Sequence, residues 1–430
     1  MQISEQKKIK VKIITVGCRL NKAETAQLES LLLAAGYEIV PKNSNSDIYI
    51  VHSCAVTARA EEDSIRLAKT AKEKNPETFT IIAGCLPELY LKTNQKLPAD
   101  LILGKKEKYK IVEYLKNHGF ASTMPIRPNL QPIPPHFSTK RAIIKIQDGC
   151  SFNCSYCVVP KTRGAPESRP LEQIILEARA LSANYPEIVL TGANSGSYND
   201  NGRSLVHLVQ TLASLPEIKR IRLSSIETST VEKEIIDLMA EHPKICRYLH
   251  LPLQSGSNRI LKMMRRHYTV EEYLSIIKYA TSKLNPVGIG TDVIAGFPGE
   301  TDYDFERTCN ILNEMPFSNI HAFSFSIRPQ TTAASLIDQL PAATIKQRTR
   351  KLMEIGETKK TEFARKLIGT PVEVLIEKVI KTENAGIGWT KEYVLAKVSG
   401  KNLKEKQIVH TMAKDYKAGM LLSTSFTTEL

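Results

Sequence analysis

The sequence predicts an α/β protein in three parts: an N-terminal parallel-sheet domain, an incomplete six-unit β/α barrel, and a small all-β barrel at the C-terminus. Three observations predict it. The first third alternates strand and helix patterns; six further β/α units follow a proline-rich stretch; and the last segment holds short strands with glycine-containing turns. At 430 residues the chain exceeds one ordinary core and has the length to bury several.

In order, VKIITVGC, DIYIVHSC and TFTIIAGC are apolar runs, separated by helical stretches from about Lys22 to Ala35 and from about Thr57 to Lys74. Each run ends on a cysteine: Cys18, Cys54 and Cys85. Ligands in parallel sheets bind beyond the carboxyl ends of the strands, so these thiols are expected to converge. The segment TMPIRPNLQPIPPH carries Pro125, Pro128, Pro132, Pro134 and Pro135, which favour extended chain over helix or sheet. It marks a linker at 121–138 between an N-terminal domain at 1–120 and a barrel at 139–368.

The barrel strands are read in AIIKIQ, EIVLTG, IRLSS, YLHLPLQ, GIGTDVIAGF and NIHAFSFS, with helical crossovers between them. The site of such a barrel lies at the carboxyl ends of its strands. From Pro341 to Leu367 a helix is expected, with eight Lys or Arg against three Glu between Lys346 and Lys366. The final domain, at 369–430, opens on VEVLIEKVI.

Lys and Arg outnumber Asp and Glu by 59 to 45, and the pI of about 9.2 suits a polyanionic partner or a solvated positive face. No apolar run reaches membrane-spanning length, and the polar start MQISEQKKIK is no secretory signal, so the chain is expected to be cytoplasmic and away from membranes. In a reducing compartment, eight cysteines read as ligands, catalytic groups or core thiols rather than disulfides. Cys246 and Cys309 fit no pattern and are assigned to core or surface.

GCSFNCSYC sets Cys150, Cys154 and Cys157 in a C-x3-C-x2-C arrangement directly after the first barrel strand. Zinc normally takes four closing ligands, and no fourth is evident nearby. A four-iron cluster held by three thiolates leaves one iron open to a substrate or cofactor. Three merely buried thiols is the bland alternative.

This motif and its placement resemble the radical S-adenosylmethionine (SAM) superfamily. GCRLNKAET, HSCAVTARAEEDS, AGCLPE, DGCSFNCSYCVVPKTRG, LTGANSGSY, HLPLQSGSNRILKMMRR, GTDVIAGFPGETDYDFE and FSFSIRPQTTAA extend the resemblance, over nearly the whole chain, to its methylthiotransferase family. The resemblance implies a TIM-like (β/α)6 radical SAM core, a C-terminal TRAM barrel, SAM and two 4Fe-4S clusters. Cys150, Cys154 and Cys157 would hold the SAM-binding cluster; Cys18, Cys54 and Cys85 would hold the auxiliary one. One SAM would methylate sulfur at the auxiliary cluster, and another would generate the radical that activates the substrate carbon. No protein side chain is expected to be catalytic in its own right.

Tyr156 matches the position of an aromatic residue near the adenine. Strand-end placement adds Thr191, Gly192, Gln254, Ser255, Asp292 and Gly296 as SAM-pocket candidates, although the commoner superfamily pattern has glycine where Asp292 stands. GCRLN and IRLSSIET look most like the branch acting on threonylcarbamoyl adenosine beside the anticodon. Isopentenyl adenosine in transfer RNA and a ribosomal-protein aspartate are the other branches; an RNA-binding metalloprotein is the non-enzymatic alternative. A base splayed from a single-stranded anticodon loop can reach a buried site. The basic helix with Lys346, Arg348, Arg350 and Lys351, together with Lys397 and Lys401, is expected to contact phosphates of the anticodon stem-loop. Arg163 and Arg169 are expected either to guide substrate or to make internal ion pairs. An electron donor of flavodoxin or ferredoxin type and a sulfur source complete the expected partners.

Overall fold

The computed structural model describes residues 8–91, 96–121, 135, 137 and 139–425. The expected linker at 121–138 lies, except for three positions, outside the described residues.

The N-terminal sheet is parallel throughout, in the order Glu38–Ile39, Lys10–Thr15, Ile48–Ser53, Phe79–Gly84, Leu101–Leu103. Strand order therefore reverses between Lys10–Thr15 and Ile48–Ser53. A crevice opens at such a reversal, and the chain leaving these two strands carries Cys18 and Cys54. Leu28 and Leu32 of the helix Arg19–Ala34 cover the sheet's core residues Val11, Ile48, Ile50 and Ile81. The helix Ala58–Lys74 starts where the Thr57 hydroxyl accepts the Ala60 N–H at 3.2 Å.

Six parallel strands in chain order form the second body: Ala142–Lys145, Glu187–Thr191, Arg220–Leu223, Tyr248–His250, Gly288–Ala295 and Asn319–Ser324. Parallel bridges Ile221↔Ile245 and Ser225↔His250 connect the third strand to the fourth, making one arc. This is the incomplete barrel expected from the sequence. Register places Asp292 opposite His321, and alternation points Gly288, Gly290 and Asp292 to the inner side. Thr291, on the other face, bonds Tyr273 of the covering helix Val270–Lys283 at 3.1 Å. Capping boxes at Thr269/Glu272 and Thr301/Asp304 start the helices after the fourth and fifth strands' loops.

The helix Ala342–Lys366 leads to a closed five-stranded barrel beginning at Pro371–Ile380. The turn after Ala385–Thr390 docks against the N-terminal ends of the arc's strands. Arg220 and Arg222 donate to the Thr390 carbonyl at 3.0 and 2.9 Å, while both guanidinia pair with the fully buried Glu187. Burial pushes the Glu187 carboxyl upward, but the three arginines around it prevail and hold it down at about 2. Gly288 permits the docking, since a Cβ there would lie 2.3 Å from the Glu392 carbonyl oxygen.

Candidate functional site: two sets of three thiols

All eight cysteines are unpaired thiols. Cys18 precedes the helix Arg19–Ala34, Cys54 follows Ile48–Ser53, and Cys85 opens the helix after Phe79–Gly84. The backbone just before Cys18 passes close to Cys54 because Gly17, at φ +101°, has no side chain: a Cβ would fall 2.5 Å from Cys54 Cβ and 2.7 Å from its Sγ. Burial pushes the Cys85 thiol up to about 12 against the pull of Arg163, and Cys54 and Cys18 add to the rise. The charges of Cys54 and Cys18 are thus felt at Cys85, as expected of thiols leaving neighbouring strands of one sheet.

Beside them lies a buried polar network. Glu24, fully buried, receives Lys108 at 2.7 Å, Lys145 at 2.9 Å and Arg163 at 3.2 Å. Arg163 also reaches Asp148 at 3.0 Å and Asn21 at 2.6 Å, and Lys105 lies 3.4 Å from Asp148. Burial opposes ionisation of Glu24, yet the cations around it hold the carboxyl well below the usual range. Four cations thus face two carboxylates. The surplus positive charge sits next to Cys85 and Cys18, both of which favour charged Arg163 against its own burial. Three thiolates need such compensation, so the donors and their surroundings fit an iron–sulfur cluster.

Cys150, Cys154 and Cys157 occupy the loop after the first barrel strand, with the Val159 N–H directed to Cys157 Sγ at 3.4 Å. Arg266 brings a second buried guanidinium: its Nη1 is 3.3 Å from Cys154 Sγ and 3.4 Å from the Tyr156 hydroxyl, while its Nη2 pairs with Glu227. Burial drives the Cys157 thiol up to about 12. Tyr156 is half-buried and meets Phe297, in the loop after Gly288–Ala295, edge to face at 6.5 Å. This set, too, fits a cluster with three protein thiolates. Outside both, Cys246 is buried 3.2 Å from Arg220 Nε, and Cys309 is half-buried against the barrel core.

The other strand-end candidates take varied places. Thr191 accepts the Ser224 hydroxyl at 3.2 Å, and a Cβ on Gly192 would lie 2.9 Å from Gln147 Oε1. Gln254, at φ 64°, pairs through its backbone with Asp292, while Ser255 is fully buried and its hydroxyl accepts the Ser257 N–H. The Gly296 N–H donates to Glu300 at 2.8 Å. Asp292 is held by His250 at 3.0 Å and His321 at 3.3 Å.

One of the basic candidates needs correction, and another takes the second of its two alternatives. Arg163 is 4 % exposed and committed to Glu24, Asp148 and Asn21, so it makes the internal ion pairs rather than meeting an RNA phosphate. Arg348 is likewise buried; it pairs with Glu300 at 2.6 Å and so braces the Gly296 loop. Periodicity put it on a basic helix without revealing that its face of the helix is the packed one. Arg169 is half-buried and pairs with Glu177 at 2.6 Å. Lys346, Arg350, Lys351 and Lys401 are exposed, and Lys397 pairs with Glu383. Sequence reasoning missed Arg266, 112 residues beyond the Cys154 it meets, and Glu24, which lies close after Cys18 in the chain but gains Lys108, Lys145 and Arg163 only through the fold.

Residues 144–312 match the radical SAM superfamily, and residues 10–104 match a family described as uncharacterized protein family UPF0004. The chain is 36% identical, over 85% of its length and 86% of the relative's, to threonylcarbamoyladenosine tRNA methylthiotransferase MtaB of Thermotoga maritima. The Bacillus subtilis MtaB is 32% identical over 88% of each chain. At 36% identity, over 85% and 83% of the two chains, the tRNA-2-methylthio-N(6)-dimethylallyladenosine synthase of Methylacidiphilum infernorum is similar as well. Among solved structures, the radical SAM methyltransferase TsrM from Kitasatospora setae, with cobalamin and a 4Fe-4S cluster bound, aligns at a TM-score of 0.54 and 13% identity, covering 76% and 77% of the chains. That likeness concerns the fold alone. Similarity to curated methylthiotransferases along most of both chains, on a radical SAM core with its thiol triplet, establishes that the chain belongs to the radical SAM methylthiotransferase family.

Proposed function

We propose that this protein inserts a methylthio group at C2 of threonylcarbamoyl adenosine beside the anticodon of transfer RNA. Cys150, Cys154 and Cys157 hold the SAM-binding 4Fe-4S cluster in this reading, and Cys18, Cys54 and Cys85 hold the auxiliary one. The carrying observation is the pair of thiol triads, each compensated by a buried guanidinium, Arg163 for one and Arg266 for the other. When bound, the clusters and SAM supply the radical that an unactivated carbon requires and the sulfur that is transferred.

The chain's own residues bind and orient. Arg266 and the Val159 N–H direct donors at the central sulfurs, and Tyr156 offers an aromatic face beside them. Lys346, Arg350 and Lys351 present exposed charge on one helix, suited to phosphates of a stem-loop. A flavodoxin- or ferredoxin-type donor and a sulfide source are the remaining partners. Dimethylallyl adenosine is the second reading, favoured by relatives of that name at the same identity.

Anaerobically reconstituted protein, given SAM, reductant, sulfide and transfer RNA bearing each modified adenosine, is tested by weighing the digested nucleosides. A methylthio mass on threonylcarbamoyl adenosine supports the reading; the same mass confined to dimethylallyl adenosine transfers the assignment to the second.

A further inference from the structure

We propose that Arg19 reads the substrate's carboxylate: its guanidinium receives the anionic threonyl group on N6 of the adenosine while the base sits beside Cys18. This rests on the threonylcarbamoyl reading above and adds the residue that selects for it.

Arg19 follows Cys18 directly and begins the helix Arg19–Ala34. Its side chain reaches inside the barrel arc, where Nη2 donates to the Tyr393 hydroxyl at 2.8 Å and the guanidinium lies 5.4 Å from that ring's centroid. Tyr393 comes from the C-terminal barrel's docking turn, and its ring packs 4.8 Å from Tyr248 of the fourth barrel strand. Around this ring the other cations have acids. Arg141 pairs with Glu377 at 2.8 Å, Arg222 with Glu187 at 2.8 Å, Arg220 with Glu187 at 2.6 Å and Lys391 with Glu373 at 2.8 Å. Among the described residues, Arg19 alone in this group has no carboxylate within ion-pair distance.

A half-buried guanidinium without an anion gives up hydration for a single phenol contact. Two further features favour an anion there. The helix has no acidic residue in its first turn and Cys18 makes no side-chain cap, so no side-chain carboxylate of the helix itself offsets the positive partial charge at its start. Asp292, on the barrel strand Gly288–Ala295, is already engaged by His250 and His321, which limits its repulsion of a second anion.

The chemistry of the base fits this placement. N6 and C2 lie on the same edge of adenine, so a base whose C2 faces the Cys18 side carries its N6 substituent along the same wall, where Arg19 is the adjoining residue. A threonylcarbamoyl group offers a carboxylate to this guanidinium. A dimethylallyl group offers only hydrocarbon, which would leave Arg19 unpaired and desolvated; a site built for a polar partner rejects an analogue lacking it.

The test is binding, measured by fluorescence anisotropy of labelled anticodon stem-loop RNA with the cluster-loaded full chain under anaerobic conditions. Three RNAs are compared: threonylcarbamoyl adenosine, its carboxyl methyl ester, and dimethylallyl adenosine. The wild type should prefer the free acid to the ester by about tenfold or more, as a charged hydrogen bond is worth. Arg19→Gln should reduce that preference to about twofold or less, and Arg19→Lys should keep part of it. Iron content is measured alongside; if Arg19→Gln loads poorly, the wild-type acid-to-ester ratio and Arg19→Lys decide. An unchanged acid preference in Arg19→Gln, or a wild type indifferent to esterification, overturns the proposal. If the wild type methylthiolates threonylcarbamoyl adenosine in either case, only the role of Arg19 falls. Methylthiolation of dimethylallyl adenosine alone overturns both readings.

Discussion

Arg163 Nη1 lies 3.2 Å from Glu24 Oε1, a contact by which the short helix Val159–Arg163 after the central cysteines grips the helix after Cys18. The two thiol triads thereby share one buried electrostatic joint. Removing one partner from such a joint leaves the other charges unpaired in low dielectric.

Glu24→Ala is therefore expected to destabilise the protein by about 3–5 kcal/mol, since Lys108, Lys145 and Arg163 all lose a carboxylate. Denaturant unfolding of the cluster-free chain, compared with the exposed control Glu113→Ala, measures it. A loss no larger than that of the control contradicts a structural joint here.

Glu29, on the same helix, behaves oppositely. Burial pushes its carboxyl up to about 7, with no cation compensating. Its folded value lies above its unfolded one, so its contribution is fully present below the unfolded value and is lost as pH rises through about 7. Glu29→Gln removes this ionisation cost, and should raise stability by on the order of 2 kcal/mol at pH 8. The gain should vanish below about pH 4.5, where both states of the wild type are protonated. Paired melts at the two pH values show whether the gain follows ionisation.

Arg266→Ala removes a cation and a hydrogen bond from Cys154 Sγ. A nearby positive charge favours the more negative, reduced form of a cluster, so the central cluster's potential should fall by on the order of tens of millivolts. A potentiometric titration followed by electron paramagnetic resonance reads the shift. A rise would place the cluster elsewhere.

The basic helix gives a salt-dependence prediction. Replacing the exposed Lys346, Arg350 and Lys351 together by alanine should weaken transfer RNA binding and reduce the slope of log affinity against log salt by about 2–3. Arg348 is left out because its buried pair with Glu300 would confound binding with folding.

The layer order was legible because apolar runs and their spacing report directly on strands that pack. AIIKIQ and GIGTDVIAGF, for example, contain the observed Ala142–Lys145 and Gly288–Ala295. Cys18, Cys54 and Cys85 stood out in the sequence because each follows an apolar run, and the structure puts each just after a strand of one parallel sheet. Glu24 was not, since a carboxylate between two apolar turns looks like any exposed helical acid until Lys108, Lys145 and Arg163 arrive from distant segments. Arg348 failed for the converse reason: charge counted along a helix does not say which face Glu300 will meet. The docking of Tyr393 into the arc depends on how two domains meet, and neither domain's sequence encodes that alone.

Nucleoside mass spectrometry on the reconstituted enzyme decides the account most directly. With about eight irons per chain, SAM, reductant and sulfide, transfer RNA bearing threonylcarbamoyl adenosine should gain a methylthio mass on that nucleoside together with 5′-deoxyadenosine. Full iron loading and SAM cleavage with that nucleoside unchanged would contradict the account.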